Sequence, residues 1–413
     1  MKEEEFAAKL KAIGAEAYIV GGWVRDYLRG AKPKDKDYMI CGCREGDFMR
    51  LFPKAVKVGK SFPVYLLRIG GEKCEVAFAR RERKQGQGYR GFAVEFGPEV
   101  AAEEDLYRRD STMNSIAVRL SDGAIIDPYG GRTDIEARRI RAVSHHFRDD
   151  PVRALRAARQ AAELDFVITE ETYRYMADCG KELAGEPQER LLEEMKKALS
   201  SATPSIFFRV LQRAGLLETA FPEIAALIGK IQPKAFHPEG DAFEHTMLIV
   251  DQVARETLSL VARFAGLAHD LGKGATPAEM LPHHYGHESR GLEVLGAWNH
   301  RMTLPKDWLK AAAFVISEHM RAPRLEKQGK MARLLLSLPK SGLSVGEFQA
   351  IIRADHGSLP DYLEKACMLI EAMGKVSGKD APEGMAGADV GAWIFSQQVR
   401  RLQEALKSFS ARK

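Results

Sequence analysis

Two glycines, an arginine and two aspartates near the N-terminus have the types and spacing to handle a metal-bound triphosphate. The run Val20-Gly21-Gly22-Trp23-Val24-Arg25-Asp26 is followed nine residues later by Asp35-Lys36-Asp37, which leads into the apolar Tyr38-Met39-Ile40. Residues i and i+2 of a strand project from one face, so a strand here would aim Asp35 and Asp37 at a common cation and turn Lys36 away. Mg²⁺ favours such oxygen ligands and keeps substrate phosphates among its partners. In two-metal chemistry one ion activates an attacking hydroxyl and the other steadies the leaving pyrophosphate. Gly21 and Gly22 let the backbone approach phosphate closely, the N–H groups opening the next helix face the anion, and Arg25 adds a charged fork. Singly, Asp-x-Asp is more often a solvated turn and Gly-Gly an ordinary one. Together, in this order, they point to nucleotidyl transfer.

Further groups could serve the same chemistry. Glu75, in Cys74-Glu75-Val76-Ala77-Phe78, is either a third carboxylate at the metal or an edge-strand charge. In the stretch Glu104 to Asn114, Arg109 could bind a triphosphate bidentately while Asp110 and Asn114 bond a ribose or orient Arg109. The same stretch also reads as a charged helix face with i, i+4 ion pairs. Arg80 to Phe92 carries five basic side chains and Gly86, Gly88 and Gly91, and is expected to be a mobile loop that contacts phosphates and bases. Asp149-Asp150-Pro151 should cap and open a helix on which Asp150, Arg153 and Arg156 step by three. An acid accepts and an arginine donates, so the pair could read the Watson–Crick edge of a base, and cytosine and adenine offer similar partners there. A capped helix with surface ion pairs is the plainer alternative.

These residues need a scaffold, and the chain supplies one in stages. Residues 1 to about 140 mix short β-rich runs (AYIVGG, DYMICG, VYLLRI, CEVAFA, IAVRL) with turn signals, so an α/β or α+β fold is expected. From 141 to 227 helical patterns replace them, and FPEIAALIGKIQPKAFHPEG, rich in proline and glycine, reads as a linker. Residues beyond it are helical again, with histidines concentrated between His237 and His319. His245, the pair His269-Asp270 and the later Asp355 could bind one or two transition-metal ions and activate water against a phosphoester, with His283, His284, His287 and His319 as auxiliaries.

At 413 residues, with 45% hydrophobic content, the chain has room for several ordinary cores. A net charge of +5 is compatible with a nucleic-acid partner and equally with ordinary surface charge. Five scattered cysteines (41, 43, 74, 179 and 367) argue against a disulfide framework, and Cys41 and Cys43 lack the second pair a zinc site would use. The charged N-terminal segment has no apolar signal core and no long apolar span follows, so a soluble cytoplasmic protein is expected.

The order VGGWVRD, DKD, GKSFPVYL, RRERKQGQGYRGF, EEDLYRRDSTMN, DDPVRALRAAR and PQERLLEE resembles the bacterial class II tRNA nucleotidyltransferases, the CCA-adding enzymes, over residues 18 to about 360. The resemblance implies an α+β fold: a polymerase-β-like nucleotidyltransferase head at 1–140, an all-α neck and body at 141–227, an all-α HD phosphohydrolase domain at 228–365 and a helical tail at 366–413. It carries nucleotide binding onto Gly22 and Arg25, catalytic Mg²⁺ onto Asp35 and Asp37, and the double-arginine motif onto Arg108, Arg109 and Asp110. Base reading falls on Asp150 and Arg153 with Arg156 alongside, steadied by Arg190 and Glu194. The family's template motif usually begins Glu-Asp, where this chain has Asp149-Asp150; the change should touch support more than recognition. The HD resemblance places a divalent transition metal, Ni²⁺ being one candidate, on His245, His269, Asp270 and Asp355. It implies phosphatase, 2′-nucleotidase and 2′,3′-cyclic phosphodiesterase activity. The implied partners are the tRNA 3′ end, CTP and ATP, with no membrane, the protein acting as a monomer or homodimer. Poly(A) polymerase and the split CC-adding or A-adding enzymes remain alternatives within the superfamily, as does an HD phosphohydrolase with an RNA-binding head.

Overall fold

The computed structural model describes residues 1–58, 63–86, 91–233 and 238–410. The expectations placed on Gly59-Lys60-Ser61-Phe62, on Gln87-Gly88-Tyr89-Arg90 and on His237 lie outside the described residues. The chain forms two compact units, Met1–Glu194 with Arg209–Ala220, and Met195–Phe208 with Phe221–Lys413.

The first unit is built on a mixed sheet. In chain order its elements include α1 (Glu3–Lys11), β1 (Glu16–Val20), α2 (Gly22–Leu28), β2 (Asp37–Cys41), β3 (Val56–Val58), β4 (Val64–Ile69) and β5 (Glu72–Phe78). Next come β6 (Arg80–Lys84), β7 (Phe92–Phe96), α3 (Ala102–Tyr107), β8 (Ala117–Arg119) and β9 (Ile125–Ile126). Seven strands pair in the order β3-β4-β5-β2-β1-β8-β9, with β2 and β5 parallel and the other pairs antiparallel. Alternation decides the faces. On one side Phe6, Phe48, Phe52, Tyr65 and Phe78 form a buried aromatic cluster with neighbouring centroids 5.0 to 5.7 Å apart. Burying each such ring stabilises the fold by roughly 1.5–3 kcal/mol. On the other side Tyr18, Val20 and Met39 pack with Ala102 and Leu106 of α3. Asp37 shares the Met39 face, two residues away, so it stands where that packed face ends.

Two expectations for this unit need correction. Asp35 is not on the strand: β2 begins at Asp37, the partner of Val20, and β1 stops there because Gly21 turns the chain at φ 74°. The Arg80 to Phe92 segment is not a loop throughout, since β6 and β7 pair from Arg80↔Phe96 to Lys84↔Phe92. Two of the charges on β6 are partnered, Arg81 by Glu104 and Lys84 by Glu182, which helps a basic run hold a strand. The unit closes with α4 (Val152–Leu164) and the first part of α5 (Gln188–Leu199).

The second unit is helical. Its elements include α6 (Ala242–Glu256), α7 (Leu260–Ala268), α8 (His287–Met302), α9 (Lys306–Glu318), α10 (Val345–His356) and α11 (Ala388–Ser410). Val253, Ala262, Ala265, Val315, Phe348 and Ile352 meet in its core. The proline-rich stretch expected to be a linker is instead partly built into this unit. Phe221, Ile224 and Leu227 are fully buried, at a spacing of three, and Pro222 opens a short helix at a position where its missing N–H costs nothing. Among the described residues no helix is long and apolar enough to cross a membrane.

Candidate active sites

Parallel pairing of β2 with β5 sets Asp37 directly beside Glu75. The Asp37 carboxyl is pushed up to about 6, first by desolvation in a concave wall, then by repulsion from Glu75, with Arg109 opposing and Asp35 adding. Two carboxylates side by side on neighbouring strands offer oxygen donors of the kind a hard divalent cation takes. Gly21 lies between two of the principal charges: a Cβ there would sit 3.6 Å from Arg109 Nη1 and 3.8 Å from Asp37 Oδ2.

A cavity of about 920 Å³ opens over the acids. Gly21, Gly22, Arg25, Asp37, Glu75, Arg108, Arg109, Asp110, Asp150, Arg153 and Arg156 all line it, so the sequence candidates of the head converge on one space. Asp35 does not. It lines a second cavity of about 510 Å³, which also reaches Asp37 and Glu75.

The arginines are held by a residue that sequence reasoning passed over. Asp105, 1% exposed, accepts from Arg108 Nη2 through Oδ1 at 2.5 Å and from Arg109 Nη2 through Oδ2 at 2.9 Å. Burial alone would raise its pKa, but Arg108 and Arg109 outweigh burial and hold it at about 2. The signal was present in the sequence, as an acid three and four residues before two arginines on a helix. Glu82 on β6 was also missed. Its Oε1 accepts from Arg80 Nε at 2.7 Å and Arg108 Nη1 at 2.9 Å. Asp110 does not orient Arg109, one of the roles expected of it. Instead its Oδ1 accepts from Asn114 Nδ2 at 3.0 Å and its Oδ2 from Arg156 Nε at 2.9 Å. Against the cost of burial, Arg156, Asn114 and Arg153 keep Asp110 ionised well below the usual carboxylate range.

Asp150 precedes α4 and caps it, accepting from Val152 N at 3.2 Å, while its other oxygen accepts from Arg190 Nη2 at 2.8 Å. Arg153 donates to His146 O at 2.7 Å, and His146 Nδ1 lies 2.7 Å from Asp149 Oδ2. Glu194 accepts from Arg159 of α4 at 2.5 Å. Arg190 and Glu194 thus fix the start and the middle of the helix whose first turn faces the cavity.

The second unit holds a different donor set. His245, His269 and Asp270 converge, and Asp270, His287 and His319 form an adjoining trio. His269 Nε2 lies 3.3 Å from His245 Nε2 and 3.1 Å from Asp270 Oδ2, and Asp355 Oδ1 is 3.1 Å from His245 Nε2. On the other side His287 Nε2 and His319 Nε2 are 3.3 Å apart and each 3.4 Å from Asp270 Oδ1. The four imidazoles are oriented alike. Their Nδ1 atoms face Glu239 Oε1, Gly266 O, His284 O and Val315 O at 2.7 to 3.0 Å, which leaves every Nε2 lone pair turned inward. Asp270 is 1% exposed and neither of its oxygens accepts a well-aligned hydrogen bond, although Lys273 Nζ stands 2.5 Å from Oδ2. Imidazole nitrogens converging on an orphaned buried carboxylate fit transition-metal ions. His283 and His284 are not part of the cluster: His283 stacks on Tyr285, and His284 bonds Thr276 and Ile231 O.

Residues 17–141 match the poly A polymerase head domain, 165–228 the probable RNA and SrmB-binding site of polymerase A, and 242–373 the HD domain. A multifunctional CCA protein of Paracidovorax citrulli is 38% identical over 94% of this chain and 97% of its own length. That of Azoarcus sp. is 45% identical over 73% of each chain. Among solved structures, the Bacillus stearothermophilus CCA-adding enzyme in complex with CTP is 25% identical, with a TM-score of 0.68 over 99% of this chain and 98% of its own. A CCA-adding enzyme complex with ATP, 21% identical, shares the fold with a TM-score of 0.64 over 97% of this chain and 89% of its own.

Proposed function

The chain belongs to the multifunctional CCA proteins, and on that premise we propose that it adds CCA to the 3′ end of tRNA from CTP and ATP without a nucleic-acid template. The observation that carries this is the single cavity that joins Asp37 and Glu75 to Asp150 and Arg153, metal-type acids at one end and a base-reading acid and arginine at the other. Asp35 and Asp37, with Glu75, would hold divalent metal, Mg²⁺ in this proposal, which when bound would steady the triphosphate and activate the attacking hydroxyl. The 3′ oxygen bonds to the α-phosphorus, the bond to the pyrophosphate bridging oxygen breaks, pyrophosphate leaves and the hydroxyl proton passes to solvent. Arg109 and Arg25 face the phosphates, and Asp150 with Arg153 offers one acceptor and one donor to the base.

The helical unit supplies a second, metal-dependent phosphohydrolase activity, as phosphatase, 2′-nucleotidase and 2′,3′-cyclic phosphodiesterase. His245, His269, Asp270 and Asp355 would hold a divalent transition metal such as Ni²⁺, with His287 and His319 beside it, and the bound metal would supply an activated water. The functional boundaries follow as head 1–140, neck and body 141–227, HD domain 228–365 and tail 366–413, in a cytoplasmic monomer or homodimer. The test is separation: Asp35→Ala should abolish nucleotide addition and spare phosphohydrolysis, and His269→Ala the reverse. Loss of both activities from either change, in a folded protein, would contradict the assignment.

A further inference from the structure

Asp270 is not alone in lacking partners at the histidine cluster of the helical unit. Gln232 is 2% exposed, and its Nε2 has no acceptor among the described residues. The other end of its amide is engaged, since Oε1 accepts from Lys273 Nζ at 2.5 Å. A lysine only donates, so the atom that meets it must be the amide oxygen, and the NH₂ is turned elsewhere. The same Nζ, on the short helix Leu271–Gly274, lies 2.5 Å from Asp270 Oδ2. Lys273 thus links Gln232 to the carboxylate that the two ligand trios share.

The chain fixes Gln232 from several sides. Its backbone N donates to Gly240 O at 2.9 Å, next to Glu239, whose Oε1 faces His245 Nδ1 at 2.7 Å. Lys230 Nζ donates to Thr276 O at 2.9 Å, and His284 Nε2 lies 3.0 Å from Ile231 O. The residues just before Gln232 are therefore pinned to segments that flank Lys273 and His287. A buried donor held this firmly and left unpaired is costly unless a ligand completes it. The oxygens of Asp270 suit a cation, whereas Gln232 Nε2 and Lys273 Nζ, on the Oδ2 side of that carboxylate, suit an anion.

We propose that Gln232 is the phosphoryl-binding residue of this site, its Nε2 donating to a non-bridging oxygen of the substrate's phosphoryl group with Lys273 Nζ beside it as a point charge. In hydrolysis the oxygen of water bonds to phosphorus, the ester P–O bond breaks and a proton of the water ends on the leaving oxygen. Charge on the non-bridging oxygens is what a donor already in place stabilises, without reorganisation at the moment of reaction. The inference rests on the phosphohydrolase activity proposed above.

The test uses the full chain loaded with Ni²⁺, with inorganic phosphate as the probe in titration calorimetry and circular dichroism as the check on folding. Gln232→Glu keeps an acceptor for Lys273 and replaces the donor by an anion, while Gln232→Met removes the donor without adding charge. In both, the Kd for phosphate and the KM for 2′,3′-cyclic AMP should rise about tenfold or more, as for a lost hydrogen bond to a charged group, while Ni²⁺ affinity falls by no more than about twofold. A Gln232 that merely props Lys273 would tolerate Gln232→Glu, because that bond survives. Unchanged phosphate binding in both variants, a wild type that binds no phosphate, or loss of Ni²⁺ along with phosphate in the folded variants would overturn the proposal. A wild type that binds phosphate through Gln232 yet hydrolyses no phosphoester would uphold the anion site and overturn the phosphohydrolase reading instead.

Discussion

Arg156 Nε donates to Asp110 Oδ2 at 2.9 Å while its Nη2 lies 2.8 Å from the same oxygen, tying α4 to the double-arginine segment 46 residues away. Asp110 is 7% exposed, and the Arg156 side chain is 44% exposed, open to the cavity. Asp110→Asn removes the charge that fixes Arg156 while keeping the shape. We expect KM for both CTP and ATP to rise about tenfold, a loss of about 1.4 kcal/mol in nucleotide binding, with phosphohydrolysis in the helical unit unchanged. Steady-state kinetics with each nucleotide checks this.

Changing Arg190 is expected to affect selectivity more than affinity. It holds Asp150 through one oxygen, leaving the carboxylate's position dependent on that bond and on the cap to Val152 N. Arg190→Ala should let Asp150 swing and should reduce the preference for CTP and ATP over UTP and GTP by about 10- to 100-fold, since a hydrogen-bonding mismatch costs about 1–3 kcal/mol. Competition assays with all four nucleotides measure it directly.

Asp105 should leave a signature in acid. Its folded-state pKa of about 2 lies below the ordinary unfolded value near 3.9. A depressed pKa contributes stability that is present above the unfolded value and disappears as pH falls through the folded one. The contribution is about 2 kcal/mol. Between pH 4 and pH 2 the wild type should therefore lose about that much more stability than Asp105→Asn, in denaturant titrations at each pH. The same variant should bind nucleotides poorly at neutral pH, because Arg108 and Arg109 lose their shared anchor.

In the helical unit, Arg263 is 1% exposed and donates to the carbonyls of Leu199, Ser201, Ala254 and Thr257. Arg263→Leu would strand four buried acceptors. At about 1 kcal/mol each, the expected destabilisation is about 3–4 kcal/mol, read as a lowered Tm.

Much of the head site was legible because its residues carry chemistry in their types: glycines before an arginine, acids flanking a strand, arginines after an acid. What the sequence hid was what packing decides. The pairing of Asp37 with Glu75 needs the parallel register of β2 on β5, which no local pattern encodes. Asp35 fell off the strand because its neighbour β1 ran out of residues at Gly21, a tertiary cause. Prolines in the 221–240 stretch suggested a linker, but the apolar spacing of Phe221, Ile224 and Leu227 prevailed once the second unit could bury them. In the helical unit, the histidine-rich sequence named the ligands broadly, and only the fold sorts His287 and His319 toward Asp270 and His283 and His284 away from it.

Reading of nucleotides by protein groups in one cavity should end addition at a defined trinucleotide. It is tested most directly by incubating the protein with tRNA lacking its 3′ CCA and with CTP, ATP or both, then sequencing the products. The predicted result is addition of CC from CTP alone and of CCA, without further growth, from the mixture. A long A tail, arrest at CC with both nucleotides present, or addition of A alone to a tRNA that lacks CC would contradict it.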